Sequence, residues 1–125
     1  MAMPNSYQQY KTQSISTMTP GELLIILFDE LVKRAKQGEI AIKAGNVEGA
    51  NDSLMRAQDI VRYLTATLND DYEITKEIKP LYDFFYQQLV MANTKKNADI
   101  LEALIPMLED MRETWKQTER LTHKK

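Results

Sequence analysis

Apolar residues recur along most of this chain at intervals of three and four, the spacing that gathers side chains onto one stripe of an α-helix. Leu24, Leu27, Phe28, Leu31, Ala35, Gly38 and Ile42 form a first stripe. Val47, Ala50, Leu54, Ala57, Val61, Leu64 and Leu68 form a second, with Asp52, Arg56, Asp59 and Arg62 falling mostly elsewhere around the helix. A third runs through Ile74, Ile78, Leu81, Phe85, Leu89 and Ala92, and a fourth through Leu101, Leu104, Ile105, Leu108, Met111 and Trp115. One apolar stripe per segment is the pattern of helices packed side by side around a shared core. No alternation of period two is long enough to compete as strand.

The punctuation between stripes fits the same reading. Thr19-Pro20-Gly21-Glu22 supplies a capping hydroxyl, a proline where the missing N–H costs nothing, and a glutamate placed to close a capping box. Gly45-Asn46 ends one helix and caps the next, Asn69-Asp70-Asp71 is a turn, and Asn97 caps a fourth helix after the polar link Thr94-Lys95-Lys96. The predicted helices cover about 20–44, 46–69, 73–93 and 97–120. Pro80 is expected to bend or split the third, and Pro106 to kink the fourth. Long helices joined by short turns run up and down beside their neighbours. The expected fold is therefore all-α, an antiparallel up-and-down four-helix bundle over residues 19–121. Residues 1–18, polar and turn-rich, form a flexible N-terminal arm, and residues 122–125 a tail.

Composition narrows what such a bundle can do. At 125 residues the chain is one domain, and 43% hydrophobic with 27% charged residues is ordinary globular material. A net charge of -2 without a basic cluster argues against nucleic acid as partner. The absence of cysteine removes disulfides and thiolate chemistry and fits the cytoplasm. The apolar run Leu23 to Phe28 is far too short to cross a membrane, and no secretory leader is apparent. The one histidine, His123, lies in the tail, which argues against both a carboxylate-bridged metal bundle and a histidine phosphotransfer bundle. Asp70-Asp71 reads as a solvated corner, and no phosphate loop or nucleophile elbow occurs. No catalytic residue, metal or cofactor is expected. The chain reads as a binding protein.

What remains is apolar surface beyond the needs of four stripes. Leu23 to Phe28 passes more than halfway around its helix, so Ile25 and especially Ile26 point away from the stripe. Met55, Ile60 and Tyr63 on the second helix, Tyr82 and Tyr86 on the third, and Ile100 and Met107 on the fourth lie at the flanks or backs of theirs. Single exposed apolar residues are normal. A surplus of methionine and tyrosine on several helices, however, suits grooves for a partner helix, because methionine adapts to shape and tyrosine keeps a polar tip in water. Tyr7 and Tyr10 add an apolar pair in the arm.

Several segments together resemble the flagellar secretion chaperone family, FliS. They are Tyr7-Gln8-Gln9-Tyr10, Thr19-Pro20-Gly21-Glu22-Leu23-Leu24 with Leu27-Phe28-Asp29, Ala57-Gln58-Asp59-Ile60, Leu81-Tyr82-Asp83-Phe84, Ala92-Asn93 and Met111-Arg112-Glu113-Thr114-Trp115-Lys116. The likeness runs nearly end to end. It implies a cytosolic bundle that clasps the C-terminal segment of flagellin, keeps it from polymerising early, and contacts the flagellar export gate. It also implies a binding role for Tyr7 and Tyr10. Some members carry Tyr at the position of Phe28 and Gly at that of Glu30, so contacts through those two side chains do not transfer. The partner-binding residues expected from both lines of argument are Tyr7, Tyr10, Ile25, Ile26, Met55, Ile60, Tyr63, Tyr82 and Tyr86. The competing expectation is a structural or adaptor bundle that homodimerises through the same surplus surface.

Overall fold

The computed structural model describes residues 18–123, and side chains through Leu121. The expectations for Tyr7, Tyr10 and the arm fall outside these residues. Four helices follow in order: α1 Pro20–Lys43, α2 Val47–Ala66, α3 Thr75–Lys95 and α4 Ala98–His123. Each packs on its sequence neighbour, and α4 closes the ring against α1. This is the up-and-down bundle that the stripes predict.

The local chemistry sets the helix ends. Thr19 Oγ1 accepts from the Glu22 amide at 3.1 Å, and Glu22 Oε1 accepts from the Thr19 amide at 3.1 Å, which completes the capping box. Asn46 Oδ1 accepts from the Gly49 amide at 2.9 Å and Asn97 Oδ1 from the Asp99 amide at 2.9 Å, so both asparagines cap as predicted. Gly45, at φ +74, provides the left-handed residue that turns the chain out of α1. Lys96 adopts the same region at φ 49 without being glycine. Its ammonium group donates to the Asn93 carbonyl at 2.7 Å and to Asn93 Oδ1 at 2.8 Å, which offsets the cost.

One connection is longer. Helix α2 stops at Ala66, short of the predicted Asn69, and α3 begins at Thr75 and not at 73. Thr67 Oγ1 donates to the Leu64 carbonyl at 2.9 Å, and Thr75 Oγ1 donates to the Asn69 carbonyl at 2.5 Å. These hydroxyls compete with helical bonding and hold residues 67–74 as overlapping turns. Pro80 and Pro106 lie within α3 and α4, and neither proline splits its helix.

The core is built from all four stripes, with Phe28, Leu31, Leu54, Leu64, Phe85, Leu89, Leu101 and Leu108 among its buried members. Gly38 is part of its design. A Cβ there would stand 2.5 Å from Leu54 Cδ2, so the missing side chain lets α1 and α2 approach closely. Three stripe assignments are corrected: Val47, Ile74 and Leu81 are exposed. On α3 the true stripe takes Tyr82 in place of Leu81. The Tyr82 ring packs against Phe28 at 6.0 Å and Phe85 at 6.3 Å between centroids.

The α1–α4 seam is laced with polar contacts. Lys36 pairs with Glu109 at 3.0 Å, Asp29 faces Arg112 at 3.4 Å and Lys116 at 3.9 Å, and Thr19 Oγ1 donates to Glu119 at 3.3 Å. Such half-exposed pairs contribute little stability each, but they fix the register of the two helices.

Candidate functional site

The long connection leaves an opening at its end of the bundle. The start of α1, the end of α2, residues 67–74, the start of α3 and Trp115 of α4 surround a cavity of about 550 Å³. That size lies within the roughly 300–1,000 Å³ of ligand-sized pockets. Leu24, Leu27 and Leu68 form apolar walls, Tyr82 and Trp115 form the floor, and no lining residue carries a charge. Tyr63 at 50%, Tyr72 at 64% and Ile74 at 55% exposure stand around it, each half or more open to water. A cluster of this kind is more than the scattered apolar residues of an ordinary surface and makes this cavity the candidate binding groove.

The floor carries polar atoms that the described residues leave unsatisfied. Tyr82 is 1% exposed, and among the described residues neither its hydroxyl nor Trp115 Nε1 has a hydrogen-bond partner. Burial pushes the Tyr82 phenol up from 10.0 to about 12, opposed only in part by the neighbouring Trp115 indole. That indole stands beside the hydroxyl but does not reach hydrogen-bond geometry. Arg112 Nε is likewise buried and unpaired, although the same guanidinium reaches Asp29.

The sequence-predicted partner residues separate into groups. Tyr63 and Tyr82 both line the groove, but Tyr82 is a core residue on its floor and not the surplus flank residue expected. Ile26 and Met55 are exposed, as predicted, though on helix surfaces away from the groove lining. Ile25 is half-buried, and Ile60 and Tyr86 are partly buried against the core. Of the two remaining surplus residues, Ile100 packs on the core and Met107 is exposed. Tyr72 went unnoticed in the sequence, and Ile74 was assigned to a core stripe. Two large apolar residues beside the Asn69-Asp70-Asp71 turn, where no helix face exists to bury them, were the available signal.

A profile of the family described as "Flagellar protein FliS" matches residues 3–122. This chain belongs to the FliS family. It is 35% identical over 117 residues to the flagellar secretion chaperone FliS of Bacillus subtilis (strain 168), covering 94% of this chain and 88% of that protein. Against the flagellar secretion chaperone FliS of Vibrio cholerae serotype O1 it is 30% identical over 121 residues, covering 92% of this chain and 89% of the relative. A crystal structure titled as a flagellar chaperone from bacteria matches with a TM-score of 0.77 over 93% of this chain and 96% of the other. At 17% identity that likeness speaks for the fold. FliS is a chaperone family of flagellar secretion and not an enzyme family. Among the described residues no group of acidic, histidine or cysteine side chains could hold a metal ion, and no helix is long and apolar enough to cross a membrane.

Proposed function

We propose that the chain is a cytosolic export chaperone that holds the C-terminal segment of flagellin, prevents its early polymerisation and helps deliver it to the flagellar type III export apparatus. The observation that carries this reading is the uncharged groove at the open end of the bundle, ringed by Tyr63, Tyr72 and Ile74. A disordered segment that becomes helical on docking loses conformational entropy, so it needs apolar contact area to stay bound. The groove supplies part of that area. Ile26 and Met55 extend it over the helix surfaces, and Tyr7 and Tyr10 join the partner-binding set from the N-terminal segment. Because the ordering cost is large, the complex can be held firmly and still be released at the export gate. No cofactor enters the mechanism.

The test is stoichiometric binding. The full chain and monomeric flagellin from the same bacterium should co-elute and give heat in calorimetry, and both signals should vanish when the C-terminal segment of flagellin is deleted. No heat and no co-elution with intact flagellin monomers would sink the reading. A concentration-independent dimer without flagellin affinity would instead favour a homodimeric adaptor.

A further inference from the structure

We infer that the floor of the end groove is a hydrogen-bonding anchor: the Tyr82 hydroxyl, backed by the Trp115 indole, donates to a neutral acceptor carried by the docked partner segment. The inference rests on the reading that flagellin is the partner, and it adds the chemistry by which the groove selects a particular register of that segment.

The Tyr82 ring is explained by the core, where it fills space between Phe28 and Phe85. The hydroxyl is not. Phenylalanine would fill the same volume without burying a polar atom that lacks a partner. A second unpaired polar atom, Trp115 Nε1, comes from a different helix and lines the same groove. An indole N–H can only donate, whereas a tyrosine hydroxyl both accepts and donates. The free protein leaves the indole outside hydrogen-bond geometry with the hydroxyl, so a chain from indole to hydroxyl is completed only on docking, and it must end on an acceptor supplied from elsewhere.

Among the described residues none of the other polar side chains that line the groove, the Tyr63 and Tyr72 hydroxyls included, bonds to the Tyr82 hydroxyl, and several are directed elsewhere. Thr67 Oγ1 is bonded to the Leu64 carbonyl, Thr75 Oγ1 to the Asn69 carbonyl, and Asn69 Oδ1 accepts from the Asp71 amide at 2.9 Å. Thr19 is held in the capping box. The acceptor must then come with the occupant. No lining residue is charged, so a carboxylate would lose its hydration with no cation to replace it. A neutral group fits: an amide or hydroxyl side chain, or a main-chain carbonyl left unpaired at the end of a docked helix.

The test compares the full-length wild-type and Tyr82→Phe chains, each titrated with a peptide of the flagellin C-terminal segment. Tyr82→Phe should weaken binding roughly three- to tenfold, the span of one lost hydrogen bond. The thermal midpoint of the free protein should stay the same or rise, because an unsatisfied hydroxyl is removed. Trp115 is the one tryptophan, so its emission should shift when the wild-type groove fills. Equal affinity in the two chains overturns the anchor alone, as does a parallel loss of affinity and thermal stability. No binding by the wild type overturns the flagellin reading and the anchor with it. If deleting residues 1–17 alone shifts Trp115 emission and destabilises wild type but not Tyr82→Phe, the acceptor belongs to this chain's own segment. That result overturns the assignment to a partner.

Discussion

At the end of the bundle where α1 meets α2 and α3 meets α4, the chain reverses within residues 44–46 and 96–97. There Gly45 and Lys96 take left-handed conformations, Asn46 and Asn97 cap, and Asn93 Nδ2 donates to Asn51 Oδ1 at 2.9 Å. At the opposite end, residues 67–74 wander between helices, Ile74 offers α3 no capping side chain, and apolar residues surround a cavity. Both ends satisfy polar groups locally and both expose apolar residues, but the open end gathers Tyr63, Tyr72 and Ile74 around one uncharged cavity, whereas Ile40 and Val47 at the closed end stand apart from it. Since both ends belong to one short chain, the difference sets an end closed by tight turns against an end whose apolar residues gather around a groove.

Truncation should expose that division. Leu54→Ala, in the fully buried region beside Gly38, should cost about 3 to 5 kcal/mol of stability, as large-to-small core changes do. Leu24→Ala, half-buried on the groove wall, should cost about 1 to 2 kcal/mol and weaken flagellin binding instead. Urea unfolding of both variants, with calorimetry against flagellin, measures the contrast. Equal losses of stability would mean that the groove wall is ordinary core.

The closed end was far more legible in the sequence than the open one. Capping rules located Asn46, Asn97 and Gly45 there because each acts on backbone atoms two or three residues away, and at the open end they located only Thr19. The turn after α2 was placed too late, since apolar Leu68 continues the helical period while Thr67 and Thr75 bond the backbone out of it. Leu81 and Tyr82 were exchanged for a related reason. Periodicity gives phase only to within a residue, and a tyrosine looks like surface until its ring is found between Phe28 and Phe85. The groove itself was invisible because it is assembled from the start of α1, the link between α2 and α3 with its flanking turns, and Trp115 of α4, which are far apart in sequence. Of the predicted partner residues, Tyr63 and Tyr82 reach it.

Alkaline titration sharpens the comparison by reading the groove floor directly. An unfolded chain loses the Tyr82 proton near its ordinary value of 10.0, whereas the folded chain keeps it until about 12. Between those values the unfolded state binds fewer protons, so stability falls as pH rises and is unaffected below the window. The loss should total roughly 2 to 3 kcal/mol. The measurement is the difference between wild type and Tyr82→Phe, in which this part of the slope is absent. Identical alkaline unfolding curves would show that Tyr82 is solvated in the native protein.

The smallest effect tests the other end. Gly45 sits at φ +74, and an added Cβ would meet nothing within 4 Å, so Gly45→Ala introduces backbone strain and no clash. Holding alanine in the left-handed region should cost about 1 kcal/mol, visible as a modest fall in the urea midpoint. The turn is at the opposite end from the groove, and none of its residues lines the cavity. Flagellin affinity should therefore stay within error of wild type even though the fold is weaker. If affinity fell together with stability, the two ends would be coupled through the helices, and the separation of a structural end from a binding end would fail.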